Sequence, residues 1–92
     1  MIFIEINYNE IDKYSFIIID IREEYLYQKG HLTRAINIPF TKLIINPERY
    51  LNKNDKYLLV CEYGIKSKKT SQILNRKGYI TYNLIGGMNR VS

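Results

Sequence analysis

The segment Cys61-Glu62-Tyr63-Gly64-Ile65-Lys66-Ser67 follows the apolar run YLLV and contains the one cysteine of the chain. A thiol at the carboxyl end of a strand, followed by a short turn and a helix, sits where successive backbone N–H groups can converge on an anion. Gly64 permits a backbone conformation that a side chain would obstruct. The helix N-terminus adds partial positive charge, Lys66 a full one, and the Ser67 hydroxyl can cap the helix. Such a setting stabilises negative charge on sulfur and makes a nucleophile of Cys61. The plainer alternative is a small buried hydrophobe, since cysteine is among the most buried residue types. Loop chemistry alone leaves both readings open.

The elements that must position this loop are legible on either side of it. SFIIID (15–20) and KYLLVC (56–61) are short, continuous apolar runs that suit strands buried on both faces of a parallel sheet. ITYNLI (80–85) reads as a third strand, AINIP (35–39) as a short one ended by Pro39, and FIEI (3–6) as an edge strand. REEYLYQKG (22–30) has acids early, Lys29 late and Gly30 as its stop, the pattern of a helix with a glycine C-cap. KSKKTSQILNRKG (66–78) places Thr70, Ile73, Leu74 and Lys77 on one helical face, with Gly78 as the cap. FTKLII (40–45) and PERYLN (47–52) read as short helical turns, the second opened by Pro47. Strands alternating with helices predict an α/β fold around a mainly parallel sheet.

Ninety-two residues suffice for one core, so one domain over residues 1–92 is expected. With one cysteine the chain can form no internal disulfide, CxxC redox pair or cysteine-rich zinc cluster. The first residues lack the basic stretch of a signal peptide, and no apolar run approaches the ~20 residues that span a bilayer, so a cytoplasmic protein without membrane association is expected. The net charge of +5 comes from basic residues scattered along the chain, grouped only at Lys66, Lys68 and Lys69. That distribution points to small anions or an acidic protein partner rather than to nucleic acid.

Taken together, two long segments resemble a rhodanese domain. IDIREEYLYQKGHLTRAINIP is similar to its front half, with Asp20, Arg22, Gly30, His31, Leu32, Ala35, Asn37, Ile38 and Pro39 at matching positions. LLVCEYGIKSKKTSQILNRKGYITYNLIGGM is similar to its back half through Cys61, Gly64, Lys66 and Ser67, then Leu74, Gly78, Tyr79, Leu84, Gly86, Gly87 and Met88. The resemblance implies a small five-stranded, mainly parallel sheet flanked by helices. It also implies sulfur transfer. Cys61 would take sulfane sulfur from thiosulfate or a persulfide, hold it as a persulfide within the loop Glu62–Ser67, and pass it to cyanide, a thiol or an acceptor protein. Asp20 and Arg22 would support the loop from beneath, in a network that Glu23 or Glu24 could join, and no metal or organic cofactor is implied.

Three features depart from the family pattern. Glu62 stands where a basic residue is frequent, and it would oppose a sulfonate-bearing donor unless its side chain turns to solvent. Lys66 replaces arginine and lacks the planar fork that grips an oxyanion at two points. Thr33 and Arg34 replace the usual Pro-Gly. Two other classes stay in view: a binding or regulatory module of the same fold without turnover, and a cysteine phosphatase or arsenate reductase. The latter would need a loop one residue longer before its basic residue. Gly86 and Gly87 read as a turn, and His31 as part of a structural segment.

Overall fold

The computed structural model describes residues 5–91. Its centre is β4 (Lys56–Val60), in which Tyr57, Leu58, Leu59 and Val60 are all buried. Alternation along the strand sends Tyr57 and Leu59 to one side and Leu58 and Val60 to the other, and each pair joins a separate apolar cluster. A strand covered on both faces has no polar side to show, which is why its sequence is a continuous apolar run.

Four further strands complete a parallel sheet around it: β2 (Ile17–Asp20) and β5 (Ile80–Leu84) pair with it directly, and β3 (Ile36–Asn37) and β1 (Glu5–Ile6) pair with those two in turn. The order across the sheet is β1-β5-β4-β2-β3. β3 is two residues, shorter than the run that announced it, and β1 spans Glu5–Ile6 within the described residues. Residues 3 and 4 of the expected first strand lie outside the described residues. At the end of β3 the side chain of Asn37 turns inward and donates to the carbonyls of Asp20 and Arg22, at 3.0 Å each.

Three helices, α1 (Glu24–Lys29), α2 (Phe40–Ile45) and α3 (Ile65–Arg76), complete the architecture. α2 and a 3-10 turn at Pro47–Arg49 form where expected, the turn opened by Pro47. α1 starts two residues later than its sequence pattern, because Arg22 is drawn back onto Asp20. Gly30 ends this helix in an extended conformation, φ 162°, rather than as a left-handed cap.

The buried face of α3 corrects the sequence reading. Thr70 and Leu74 are buried, but Ile73 and Lys77 are exposed, and Ser67, Ser71 and Asn75 fill the remaining inward positions. These polar groups are satisfied against β5. The hydroxyls of Ser71 and Thr81 bond at 2.8 Å, and Asn75 Nδ2 donates to the Tyr79 and Thr81 carbonyls at 3.2 and 3.1 Å. A buried amide or hydroxyl is tolerated when it is fully partnered, so small polar side chains let the helix lie close on the strand.

The chain leaves β2 toward β3 on one side and β4 toward β5 on the other. The carboxyl ends of β2 and β4 therefore flank the point where the winding reverses, the usual ligand crevice of an open parallel sheet. Asp20 and Val60 are in register there, which brings Arg22 and Cys61, two residues and one residue further on, to the same end. Among the described residues no helix is long and apolar enough to cross a membrane.

Candidate active site

Cys61 leaves β4 and is 5% exposed. The next three residues turn the chain so that α3 starts above the sulfur. Gly64 takes the N-cap position in the left-handed region, φ +83°, and α3 begins at Ile65, one residue earlier than expected. A Cβ on Gly64 would stand 2.8 Å from Gly86 N and 3.0 Å from Leu84 O, so both conformation and space require glycine.

The thiol sits under the turn as an acceptor. The backbone N–H of Gly64 donates to Cys61 Sγ at 3.1 Å and that of Ser67 at 3.3 Å, with Ser67 Oγ 3.1 Å away. N–H groups can point inward because the loop's carbonyls are engaged outward. Met88 N–H donates to Cys61 O and Asn89 N–H to Glu62 O, both at 2.8 Å. Gly87 makes that clamp possible: with φ +56° it packs so tightly that a Cβ there would approach Cys61 O to 2.2 Å. The expected glycine turn is thus present, and it also serves as the outer wall of the cysteine loop.

Ser67 was expected to cap α3; the helix instead has no side-chain cap, and the Ser67 hydroxyl donates to Asn83 Oδ1 of β5. Asn83 Nδ2 in turn donates to Glu5 Oε2 at 2.9 Å, and Glu5 Oε1 lies 3.5 Å from Lys68 Nζ. Sequence reasoning passed over Asn83. The signal was available as an amide near the end of an otherwise strand-like run, which a buried strand tolerates only with partners.

Arg22 gathers the second half of the site. Its Nε donates to Asp20 Oδ1 at 3.0 Å and its Nη2 to Asp20 Oδ2 at 2.8 Å, a two-point pair in which Asp20 is fully buried. Nη2 also donates to Gly30 O at 2.7 Å, and Nη1 to Glu62 Oε1 at 3.2 Å. The hydrogen bond to Asp20, then its charge and that of Glu62, hold the guanidinium above its usual pKa against the opposing effect of burial. Asp20 and Arg22 thus form an ion pair that reaches the loop through Glu62, where the sequence suggests Glu23 or Glu24. Glu62 remains partly exposed, its side chain at 41%, with one oxygen tethered.

The other loop side chains stay outside. Tyr63 and Ile65 are 62% and 66% exposed, and Lys66 Nζ lies over the Phe40 ring at 5.1 Å. His31 stacks on Tyr27 and bonds through Nδ1 to the Tyr27 carbonyl at 2.7 Å, a local structural role. No three potential ligand side chains cluster as a metal site among the described residues. A surface groove of about 700 Å³, bordered by Tyr8, Tyr14, Phe16, Leu32 and Arg34, lies away from the cysteine loop.

A thiol seated on N–H donors at a helix N-terminus can carry negative charge on sulfur, or on a second sulfur attached to it. Known proteins share this arrangement of elements. Residues 5–92 match the family model described as rhodanese-like domain. The thiosulfate sulfurtransferase GlpE of Coxiella burnetii is 32% identical over 81 residues, spanning 84% of this chain and 72% of that protein. The putative sulfurtransferase YtwF of Bacillus subtilis is 30% identical, over 77% and 68% of the two chains. Among solved structures, SSP1007 from Staphylococcus saprophyticus superposes with a TM-score of 0.88 at 26% identity, covering 97% of this chain and 93% of that one. The chain belongs to the rhodanese-like family, whose curated relatives include sulfurtransferases.

Proposed function

We propose that this chain is a sulfurtransferase that carries sulfane sulfur as a persulfide on Cys61, within one rhodanese-like domain. The observation that supports this most is the seat of the Cys61 sulfur, which accepts two backbone N–H groups at the start of α3. In the first half-reaction the Cys61 thiolate attacks the outer sulfur of the donor. The Cys61 S–S bond forms as the donor's own bond to that sulfur breaks, and sulfite, or a thiolate from a persulfide donor, leaves with the electron pair. The negative terminal sulfur then rests against donors fixed in place before the reaction. In the second half-reaction an acceptor thiolate or cyanide attacks that terminal sulfur and releases Cys61 as thiolate.

Asp20 and Arg22 act by holding Glu62 and the loop, with Gly64 and Ser67 supplying the N–H groups and the backbone of Tyr63, Ile65 and Lys66 completing the turn. Partners in this reading are a small sulfur donor and a thiol or protein acceptor, in the reducing cytoplasm that a free thiol suits. The chemistry needs no metal or organic cofactor. A module that only binds would have no use for a sulfur aligned with backbone donors.

Thiocyanate formation from a sulfur donor and cyanide tests this reading. Cys61→Ser is expected to fall to the uncatalysed background while its folding stability stays within about 1 kcal/mol of the parent. A serine variant that still turns over would remove Cys61 from the reaction.

A further inference from the structure

The hydrogen-bond chain behind Cys61 fixes where one proton lies. Asn83 Nδ2 donates to Glu5 Oε2, a carboxylate that can only accept, so Asn83 Oδ1 must face Ser67. An amide oxygen has no proton to give. The single hydroxyl proton of Ser67 is therefore committed to Asn83, and Ser67 Oγ presents lone pairs to the sulfur 3.1 Å away. In that arrangement the hydroxyl can accept the S–H of a neutral thiol but gives nothing to a thiolate. Ser67 and Asn83 are 0% and 1% exposed, so no bulk water replaces either bond.

We propose that Asn83 is a positioning residue that acts through Ser67 and sets which form of the Cys61 sulfur the site favours. With the hydroxyl turned to Asn83, the sulfur receives the two backbone N–H donors alone, and Ser67 offers it only lone pairs. When the thiol proton is lost to solvent, or a persulfide anion forms, the hydroxyl rotates about its C–O bond and donates to sulfur, giving up its bond to Asn83. No proton travels beyond Ser67, because the Asn83 amide cannot relay one. Glu5 anchors the amide in the required orientation, with Lys68 beside it. This inference rests on the sulfur-carrying reading of Cys61.

The test is the rate of iodoacetamide alkylation of the chain's one cysteine, compared at one fixed pH because the rate follows the thiolate fraction. Asn83→Leu, of similar size, frees the hydroxyl to donate to sulfur. It is expected to alkylate faster by on the order of tenfold, the scale of one hydrogen bond to a charged atom. Asn83→Asp keeps an oxygen to accept from Ser67 and should show no acceleration. In the Ser67→Ala background Asn83→Leu should have no effect, since there is no hydroxyl to release. An acceleration that persists without the Ser67 hydroxyl would mean that the variant merely loosens the loop, and would overturn the proposal.

A second measurement needs no variant of Asn83. The infrared S–H stretch of the parent should lie at the lowered frequency of a hydrogen-bonded thiol and move up in Ser67→Ala. A parent band at the free-thiol position would equally overturn the proposal. Persulfide loading of the parent, measured by mass on the same preparations, separates the two ideas. Loading with an unaltered alkylation pattern refutes only the role of Asn83, whereas absent loading refutes sulfur carriage by Cys61.

Discussion

Glu62 adjoins the nucleophile in sequence and would be expected to repel an anionic donor, yet it is tied to Arg22 at 3.2 Å. The tether fixes the carboxylate's position and shares its charge with a guanidinium already engaged by Asp20 at two points. What remains is a partial negative field at the mouth of a site that must admit sulfur donors. Glu62→Gln keeps an oxygen to accept from Arg22 and removes the charge. Loading from thiosulfate, followed by stopped-flow or quenched mass analysis, should then quicken by about threefold to tenfold, the scale of one partly solvated charge pair. The gain should shrink as salt rises, and loading from a persulfide donor should change less. An unchanged or slower thiosulfate reaction would show that residue 62 does not select among donors. The exposed Lys66, lying over Phe40, contributes positive field from outside the loop rather than a direct grip.

At the scale of elements, two turns carry the strain. Arg34 adopts φ +71°, a left-handed conformation that side chains disfavour by roughly 1–2 kcal/mol. It stands at the position where the family pattern has glycine. Arg34→Gly should raise folding stability by about 0.5–1 kcal/mol in denaturant titration, after allowing for the greater flexibility of glycine in the unfolded chain. A destabilised variant would mean that the Arg34 side chain has contacts worth more than the strain. Gly87 is the opposite case. Its tight packing on Cys61 O means that Gly87→Ala should cost about 2 kcal/mol or more and slow persulfide loading, by displacing the loop carbonyls from Met88 and Asn89. Normal stability together with normal loading would show that the clamp is dispensable.

The same scale shows what the sequence makes legible. β2 and β4 are read easily because burial leaves apolar runs bounded by polar residues, and β5 through its β-branched and aromatic residues. The inner face of α3 is not, since Ser67, Ser71 and Asn75 pack on β5 through hydrogen bonds that hydrophobic periodicity does not register. The clamp by Gly86 and Gly87 depends on a contact between segments more than twenty residues apart, which no local pattern reveals. The Arg22–Glu62 bond is hidden for the same reason, although Asp20 and Arg22 were recognisable as a pair.

For the whole molecule, the strand order brings these parts together. With β2 and β4 adjacent and the chain winding away from each in opposite directions, their carboxyl ends open a crevice that holds Arg22 from one and Cys61 from the other. α3 then supplies N–H donors above the sulfur, and the turn after β5 closes the loop from outside. In the proposed function this assembly holds a sulfur atom on Cys61. Intact mass after incubation with thiosulfate, and separately with glutathione persulfide, tests it most directly. The expected result is a gain of about one sulfur atom, mapped to Cys61, which cyanide removes as thiocyanate. A folded protein with a titratable thiol that gains no sulfur from either donor would remove Cys61 as a sulfur carrier and leave a rhodanese-like module that binds without transfer.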